Sequence, residues 1–317
     1  MTRAVVFAYH DVGVRCLRVL LAQGIEIPLV VTHQDNPAEK IWFESVAQHA
    51  RWHRLAVATP ADPNAPEFLQ QLRAARPDFL FSFYYRHMLG AGVLALPARG
   101  AYNMHGSLLP RYRGRVPVNW AVLNGESETG ATLHAMTVKP DAGAIVDAQA
   151  VPILPDDTAV EVFRKVSVAA EITLQRALPG LVAGTAVLRA QDLSQGSYFG
   201  GRSAADGAID WRLGVHAVHN LVRAVAPPSP GAFALAAGMP LRVLRTLPGA
   251  SASASVSAAG ARSALAGLCC RGGEVLALCA DGVLRLLEFE LDGQVRDAQA
   301  FQARFGDKVL PLTGGPR

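Results

Sequence analysis

Charged side chains are scarce, at 18% of residues, and 30 basic residues against 26 acidic ones leave a formal charge of only +4. A nucleic-acid face is normally a dense Lys/Arg field, so this balance gives nucleic-acid binding no support, while it still permits an anionic small ligand. Cysteine is thinner still. Cys16, Cys269, Cys270 and Cys279 form no CxxC pair and have no histidine spacing that builds a zinc site, so reduced thiols, a cytoplasmic location and no metal are expected. Long apolar runs are also missing: no stretch approaches the ~20 residues of a membrane-spanning helix. The first apolar segment, residues 4–8, ends at Tyr9-His10-Asp11 and is too short for a signal-peptide core. Glycine is lacking where nucleotide motifs need it. The turn Tyr9-His10-Asp11-Val12-Gly13 has a single glycine where the dinucleotide fingerprint requires a set, and no P-loop sequence occurs, which sets a nicotinamide cofactor aside.

What is there is apolar. Hydrophobic residues make up 50% of the chain, enough to build a core and to exclude disorder, and 317 residues suit two domains rather than one. The first part alternates strands and helices. Residues 4–8, 27–31 and 79–83 read as continuous apolar strands. Val14, Leu17, Val19, Leu20 and Leu21 give a helical stripe ending at Gly24, and helices are predicted over residues 38–50 and 65–75. Strands without polar alternation, separated by helices, imply a sheet covered on both faces, so a Rossmann-like, twisted, mostly parallel α/β sheet is expected. Thr158-Ala159-Val160-Glu161 has the form of a capping box, and Val162, Val166, Ala169, Ile172 and Leu178 supply the apolar side of a long helix that closes the first domain near Gly184. After a helix at residues 215–225 and the Pro-rich turn Pro227-Pro228-Ser229-Pro230-Gly231, alternating segments such as residues 241–244 and 283–287 predict a small β-rich, OB-like domain. The expected division is 1–203 for a catalytic domain and 204–317 for the smaller one. The Ser/Ala tract at residues 251–260 has almost nothing to bury and reads as a mobile surface loop with no assigned function.

Chemistry concentrates between Ala101 and Asp147. If residues 102–105 are extended, Asn103 and His105 share one face, placing an amide beside an imidazole at a strand's C-terminal end, where open α/β sheets bind ligands. An amide can donate to an oxygen that gains negative charge, and an imidazole can move protons near neutral pH, so the pair suits attack of an amine on a carbonyl. Gly106-Ser107-Leu108-Leu109-Pro110 is a turn leading to Arg111-Tyr112-Arg113-Gly114-Arg115, a basic loop suited to carboxylate or phosphate groups. Residues 129–137 alternate as a strand. Lys139-Pro140-Asp141-Ala142-Gly143 then makes a tight turn from which Asp141 can return toward His105 and raise its pKa, keeping the protonated ring available.

Asn103-Met104-His105-Gly106-Ser107-Leu108-Leu109-Pro110, Arg113-Gly114 and Asp141-Ala142-Gly143 resemble the signature of folate-dependent formyltransferases of the methionyl-tRNA formyltransferase type. Further blocks look like the formyltransferase domain of the bifunctional polymyxin-resistance proteins, which formylates UDP-4-amino-4-deoxy-L-arabinose in lipid A modification. They are Val5-Val6-Phe7-Ala8-Tyr9-His10-Asp11, Thr32-His33, Phe81-Ser82-Phe83-Tyr84-Tyr85-Arg86-His87 and Asn124-Gly125-Glu126. The resemblance implies that Asn103 stabilises the oxyanion, His105 transfers protons and Asp141 raises the histidine's pKa. It also implies that His87, Met88, Leu89, Arg115, Thr137, Val138, Lys139, Pro140 and Asp141 contact 10-formyltetrahydrofolate. The chain ends at Arg317 without room for the decarboxylase domain of the bifunctional relatives, so a stand-alone transferase is expected. Alternative acceptors are methionyl-tRNA and another nucleotide-linked amino sugar such as a dTDP-sugar. A non-catalytic folate-binding module is the reading from a different class.

Overall fold

The computed structural model describes residues 1–37, 39, 41–249 and 266–315, and the tract at 251–260 lies outside them. The chain divides into two compact units. Met1–Val118, Glu128–Pro152 and Phe163–Gly201 form the first, and Asn119–Ser127, Ile153–Val162 and Arg202–Arg317 the second.

From the N-terminus to residue 199, which includes the second unit's segments Asn119–Ser127 and Ile153–Val162, the elements follow in chain order as β1 (Arg3–Ala8), α1 (His10–Ala22), β2 (Glu26–Val31), α2 (Val46–Trp52), β3 (Val57–Ala58), α3 (Pro66–Ala74), β4 (Phe79–Phe83), α4 (Ala91–Leu94) and β5 (Ala101–His105). After these come β6 (Arg113–Gly114), α5 (Pro117–Leu123), β7 (Glu128–Ala135), β8 (Ile145–Pro152), α6 (Ala159–Ala183) and β9 (Tyr198–Phe199). The main sheet has the order β3-β2-β1-β4-β5-β7-β8. Its first five strands run parallel, and β7 and β8 are antiparallel additions at one edge. β4 is buried at every residue, and β1 at all but its first. Helices must therefore cover both faces, as the unbroken apolar runs predict. On one face Val5, Phe7, Leu29, Val31 and Leu80 pack with Phe68 and Leu72 of α3 and Val93 of α4. Each such side chain contributes about 1.5–3 kcal/mol by leaving water.

Two local expectations are corrected. Instead of a helix over 38–50, helix α2 starts at Val46, because Ser45 caps it by accepting from the Gln48 amide; residues 41–45 are not helical, and Ala38 and Lys40 are not described. Ile172 is 43% exposed on α6 instead of facing the core with Val162, Val166, Ala169 and Leu178. Strand β8, whose residues are mostly only partly buried, has no clean alternation and gave no sequence signal. The capping box is present: the Thr158 amide donates to Glu161 Oε2 (2.7 Å) and the Glu161 amide to Thr158 Oγ1 (3.4 Å).

The second unit holds α7 (Val215–Ala224), β10 (Ala232–Ala236), β11 (Met239–Pro248), β12 (Gly267–Arg271), β13 (Glu274–Leu278), β14 (Val283–Leu291), β15 (Gln294–Arg296), α8 (Ala298–Phe305) and β16 (Leu310–Gly314). Its strands follow the order β11-β10-β16-β12-β13-β14-β15, and an additional antiparallel pairing of β11 with β14 closes the ring into a barrel. Inward-facing Ala234, Val243, Leu268, Ala277, Leu286 and Phe289 fill it, with Val218 and Val222 of α7 and Phe301 of α8 packed in the same core.

Candidate active site

The C-terminal end of β5 carries the proposed chemistry, and strand alternation explains it: Asn103 and His105 lie two residues apart on one face. Opposite them on β7 the antiparallel register sets Asn103 against His134 and His105 against Thr132. Directly opposed side chains stand within contact range, which brings a second imidazole to the amide. Asn103 Nδ2 lies 3.1 Å from His134 Nε2, and His134 Nδ1 lies 2.9 Å from the Ala135 carbonyl oxygen.

The segment that follows β7 returns to this place. Asp141 Oδ1 is 3.5 Å from His105 Nδ1 and 3.5 Å from His134 Nε2, while its Oδ2 accepts from the Gly114 amide at 2.9 Å. Asp141 holds the left-handed conformation (φ 52°), as do Tyr84 (57°) after β4 and Tyr112 (57°) in the turn that leads into β6. Three non-glycine residues in that region around one site store strain that the surroundings must override. Gln191 helps by donating from Nε2 to the carbonyls of Asp141 (3.0 Å) and Gly143 (2.6 Å).

The turn after His105 is fixed as firmly. Thr132 Oγ1 donates to the Ser107 carbonyl (2.6 Å), and Ser107 Oγ donates to the Arg111 carbonyl (2.6 Å). Gly106 is required by space, since a Cβ there would lie 2.0 Å from the Tyr84 hydroxyl oxygen. Gly114 is required twice over, by φ 98° and by a Cβ position 2.2 Å from the Phe199 carbonyl oxygen.

Hydrogen bonding sets the protonation of both rings. A carbonyl only accepts, so His105 Nε2, 2.7 Å from the Tyr112 oxygen, carries a proton, and so does His134 Nδ1 against Ala135. Burial pushes His105 below the ordinary imidazole value, while Asp141 and the Tyr112 carbonyl pull it upward and His134 adds a smaller downward push. Burial is the largest effect. The expectation that Asp141 keeps His105 protonated is therefore corrected: the carboxylate acts in the expected direction but is outweighed, and the resting ring is neutral with Nδ1 bare. Burial works against ionisation of Asp141, but the adjoining His105 imidazole and the hydrogen bond that Oδ2 accepts from the Gly114 amide outweigh it and hold its carboxyl below the ordinary carboxylate value.

Arg113 departs from the anion-binding loop expected of residues 111–115. It is buried, with Nη2 3.4 Å from the Leu193 carbonyl and Nε without a partner, so its guanidinium is turned into the protein, whereas Arg115 is exposed. His87 and Met88 are exposed, Met88 at 61%, and Leu89 is buried. Their turn is held by Asn64, which donates to the Met88 carbonyl and accepts from the Gly90 amide. Thr137, Val138 and Lys139 are exposed and Pro140 partly so, with Thr137 Oγ1 donating to the Lys139 carbonyl at 2.8 Å. Tyr9 is buried and bonds Asp35 through its hydroxyl (2.7 Å), a packing role. His134 is the residue that sequence reasoning missed, and the alternation of Thr132 and His134 along a strand paired to residues 102–105 was the available signal.

Residues 11–178 match the model of the formyl transferase family, and residues 202–305 match that of the formyl transferase C-terminal domain. The chain belongs to the formyl transferase family. In structure the formyltransferase is similar to an N-formyltransferase from Helicobacter canadensis crystallised with folinic acid and dTDP-3-aminofucose (TM-score 0.70, 17% identity, 93% of this chain and 100% of that one). It is equally similar to WlaRD, a sugar 3N-formyl transferase crystallised with dTDP and 5-N-formyl-THF (TM-score 0.70, 17% identity, 90% and 97% covered). A sugar N-formyltransferase from Shewanella sp FDAARGOS_354 matches over 74% of this formyltransferase and 92% of its own chain (TM-score 0.60, 18% identity). No helix among the described residues is long and apolar enough to cross a membrane.

Proposed function

We propose that this formyltransferase moves a formyl group from 10-formyltetrahydrofolate to the amine of a nucleotide-linked amino sugar. UDP-4-amino-4-deoxy-L-arabinose is the acceptor that the sequence resemblance favours, which would give the enzyme a role in lipid A modification and polymyxin resistance. The observation that carries the reading is the meeting of an amide, a buried imidazole and a carboxylate at the C-terminal end of β5.

Bound formyl-folate supplies an electrophilic formyl carbon. Asn103 donates an amide N–H to the oxygen that gains charge as the amine adds. The attacking amine must be neutral, and His105 Nδ1 takes the proton that it sheds, since Nε2–H is already committed to Tyr112. Both N–H groups of the resulting imidazolium then face acceptors, the Tyr112 carbonyl and Asp141. The ionised Asp141 holds that charge in a buried place where it would otherwise be costly. The ring then returns the proton to the departing nitrogen.

The donor's fit rests on exposed groups of suitable chemistry. Met88 and Val138, 61% and 69% exposed, offer apolar surface to aromatic rings, and exposed Arg115 offers charge to a carboxylate. His87, Leu89, Thr137, Lys139, Pro140 and Asp141 complete the proposed contact set. Residues 1–203 are assigned to catalysis, residues 204–317 to an accessory β domain, and the reaction to the cytoplasm. A dTDP-linked acceptor is the second reading, because the Helicobacter canadensis enzyme was crystallised with one.

The test is incubation with 10-formyltetrahydrofolate and a panel of UDP- and dTDP-amino sugars beside charged methionyl-tRNA, with products identified by mass. A formylated UDP-amino sugar is expected. Product from the tRNA alone would overturn the sugar assignment.

A further inference from the structure

We propose that His134 is a positioning residue for the formyl-transfer site: it holds the Asn103 amide in the one orientation that can donate to the reacting oxygen. The inference rests on the assignment of Asn103 above and extends it to a side chain outside the expected amide, imidazole and carboxylate set.

The argument begins with a freedom. A carboxamide can turn half a circle about its last bond and exchange its oxygen for its NH2 at little steric cost, but only one orientation offers a donor. Among the described residues the Asn103 side chain has a single hydrogen-bonding neighbour, His134 Nε2 at 3.1 Å. What that atom demands therefore decides which way the amide points.

His134 Nδ1 faces the Ala135 carbonyl at 2.9 Å and must carry a hydrogen. If the ring is neutral, Nε2 is bare and accepts one N–H of Asn103, leaving the second N–H of the same group free for a ligand. If the ring were charged, Nε2–H would need an acceptor, and the amide would turn its oxygen inward and lose its donor function. Two contacts select the first arrangement. The amide atom that faces Nε2 is Nδ2, which only donates, so Nε2 is the acceptor. The other acceptor within reach, Asp141 Oδ1, lies at 3.5 Å, beyond the 2.7–3.2 Å of a sound N–H···O bond, whereas the contact with Asn103 falls inside it. The carbonyl of Ala135 thus fixes the tautomer of His134, and the tautomer fixes Asn103.

The experiment is a double-mutant cycle in the full-length protein, measuring kcat and KM for the formyl donor in wild type, Asn103→Ala, His134→Ala and the double variant, with folding checked by circular dichroism. Loss of orientation should lower kcat by about 10- to 100-fold with donor KM little changed. In the Asn103→Ala background the same change should cost less than about twofold, because there is no amide left to orient. His134→Gln, whose side-chain oxygen reaches the Nε2 position and accepts a hydrogen bond, should recover most of the activity and serves in its place if His134→Ala does not fold. An equal loss in the Asn103→Ala background, or wild-type kcat in His134→Ala, would overturn the proposal. Wild-type kcat in Asn103→Ala would instead overturn the assignment on which it rests.

Discussion

Asn103→Ala isolates the electrostatic contribution of the site. One N–H of the amide is held by His134 Nε2, so a single donor remains for the oxygen that gains charge. Removing one such donor in acyl-transfer enzymes lowers kcat by about 10²–10³, or about 2.7–4 kcal/mol of barrier. The structural cost is smaller. Asn103 is half-buried, and among the described residues its side chain makes one hydrogen bond, whose loss is worth about 1 kcal/mol. The fold should therefore survive a substitution that nearly abolishes turnover. The assay follows tetrahydrofolate release at saturating acceptor and donor, with thermal melting of the same preparations. The expected result is kcat reduced by at least about 10² with KM values nearly unchanged, because the donated bond strengthens only as charge develops. Asn103→Asp should be no better, since an ionised carboxylate has no hydrogen to give. A kcat within about tenfold of wild type in Asn103→Ala would refute the reasoning, as would a loss confined to KM.

Two further outcomes are expected. Because the working form of His105 is the neutral ring and burial lowers its pKa from 6.5, kcat should be lost only as pH falls through a value below 6.5. Asp141 raises that value, so Asp141→Asn should shift the acid limb to still lower pH while lowering the plateau; an upward shift would contradict the assignment. Gly106→Ala should destabilise the protein by about 1–3 kcal/mol through collision with the Tyr84 hydroxyl, which is buried without a partner. Tyr84→Phe should recover part of that loss in a melting experiment, and strict additivity of the two changes would show that they do not meet.

The parallel part of the first sheet was legible because β1 and β4 are apolar at consecutive positions, a pattern that only a doubly covered sheet explains. The face shared by Asn103 and His105 followed from alternation alone. The partners of these residues were harder to see, for physical reasons. His134 reaches Asn103 through an antiparallel register that pairs strands 31 residues apart at that point, and Asp141 arrives through a turn whose direction depends on a left-handed φ and on Gln191, 50 residues further on. The sign of the His105 shift was missed because it is a contest between burial and charge, and a sequence reveals the charge but not the depth. Arg113 misled for a similar reason: a run of arginines looks solvated until the pairing of β6 with β9 buries one of them. The start of α2 was misplaced because the apolar spacing extends upstream of the Ser45 cap.

The most direct test of the central claim is a single reaction containing 10-formyltetrahydrofolate and UDP-4-amino-4-deoxy-L-arabinose, in which the mass of the sugar nucleotide and the release of tetrahydrofolate are followed together. Wild-type protein should add one formyl group to the sugar for each tetrahydrofolate released, and His105→Ala should do so at a small fraction of that rate. Donor breakdown without a formylated sugar nucleotide, or equal turnover by the two proteins, would contradict the account.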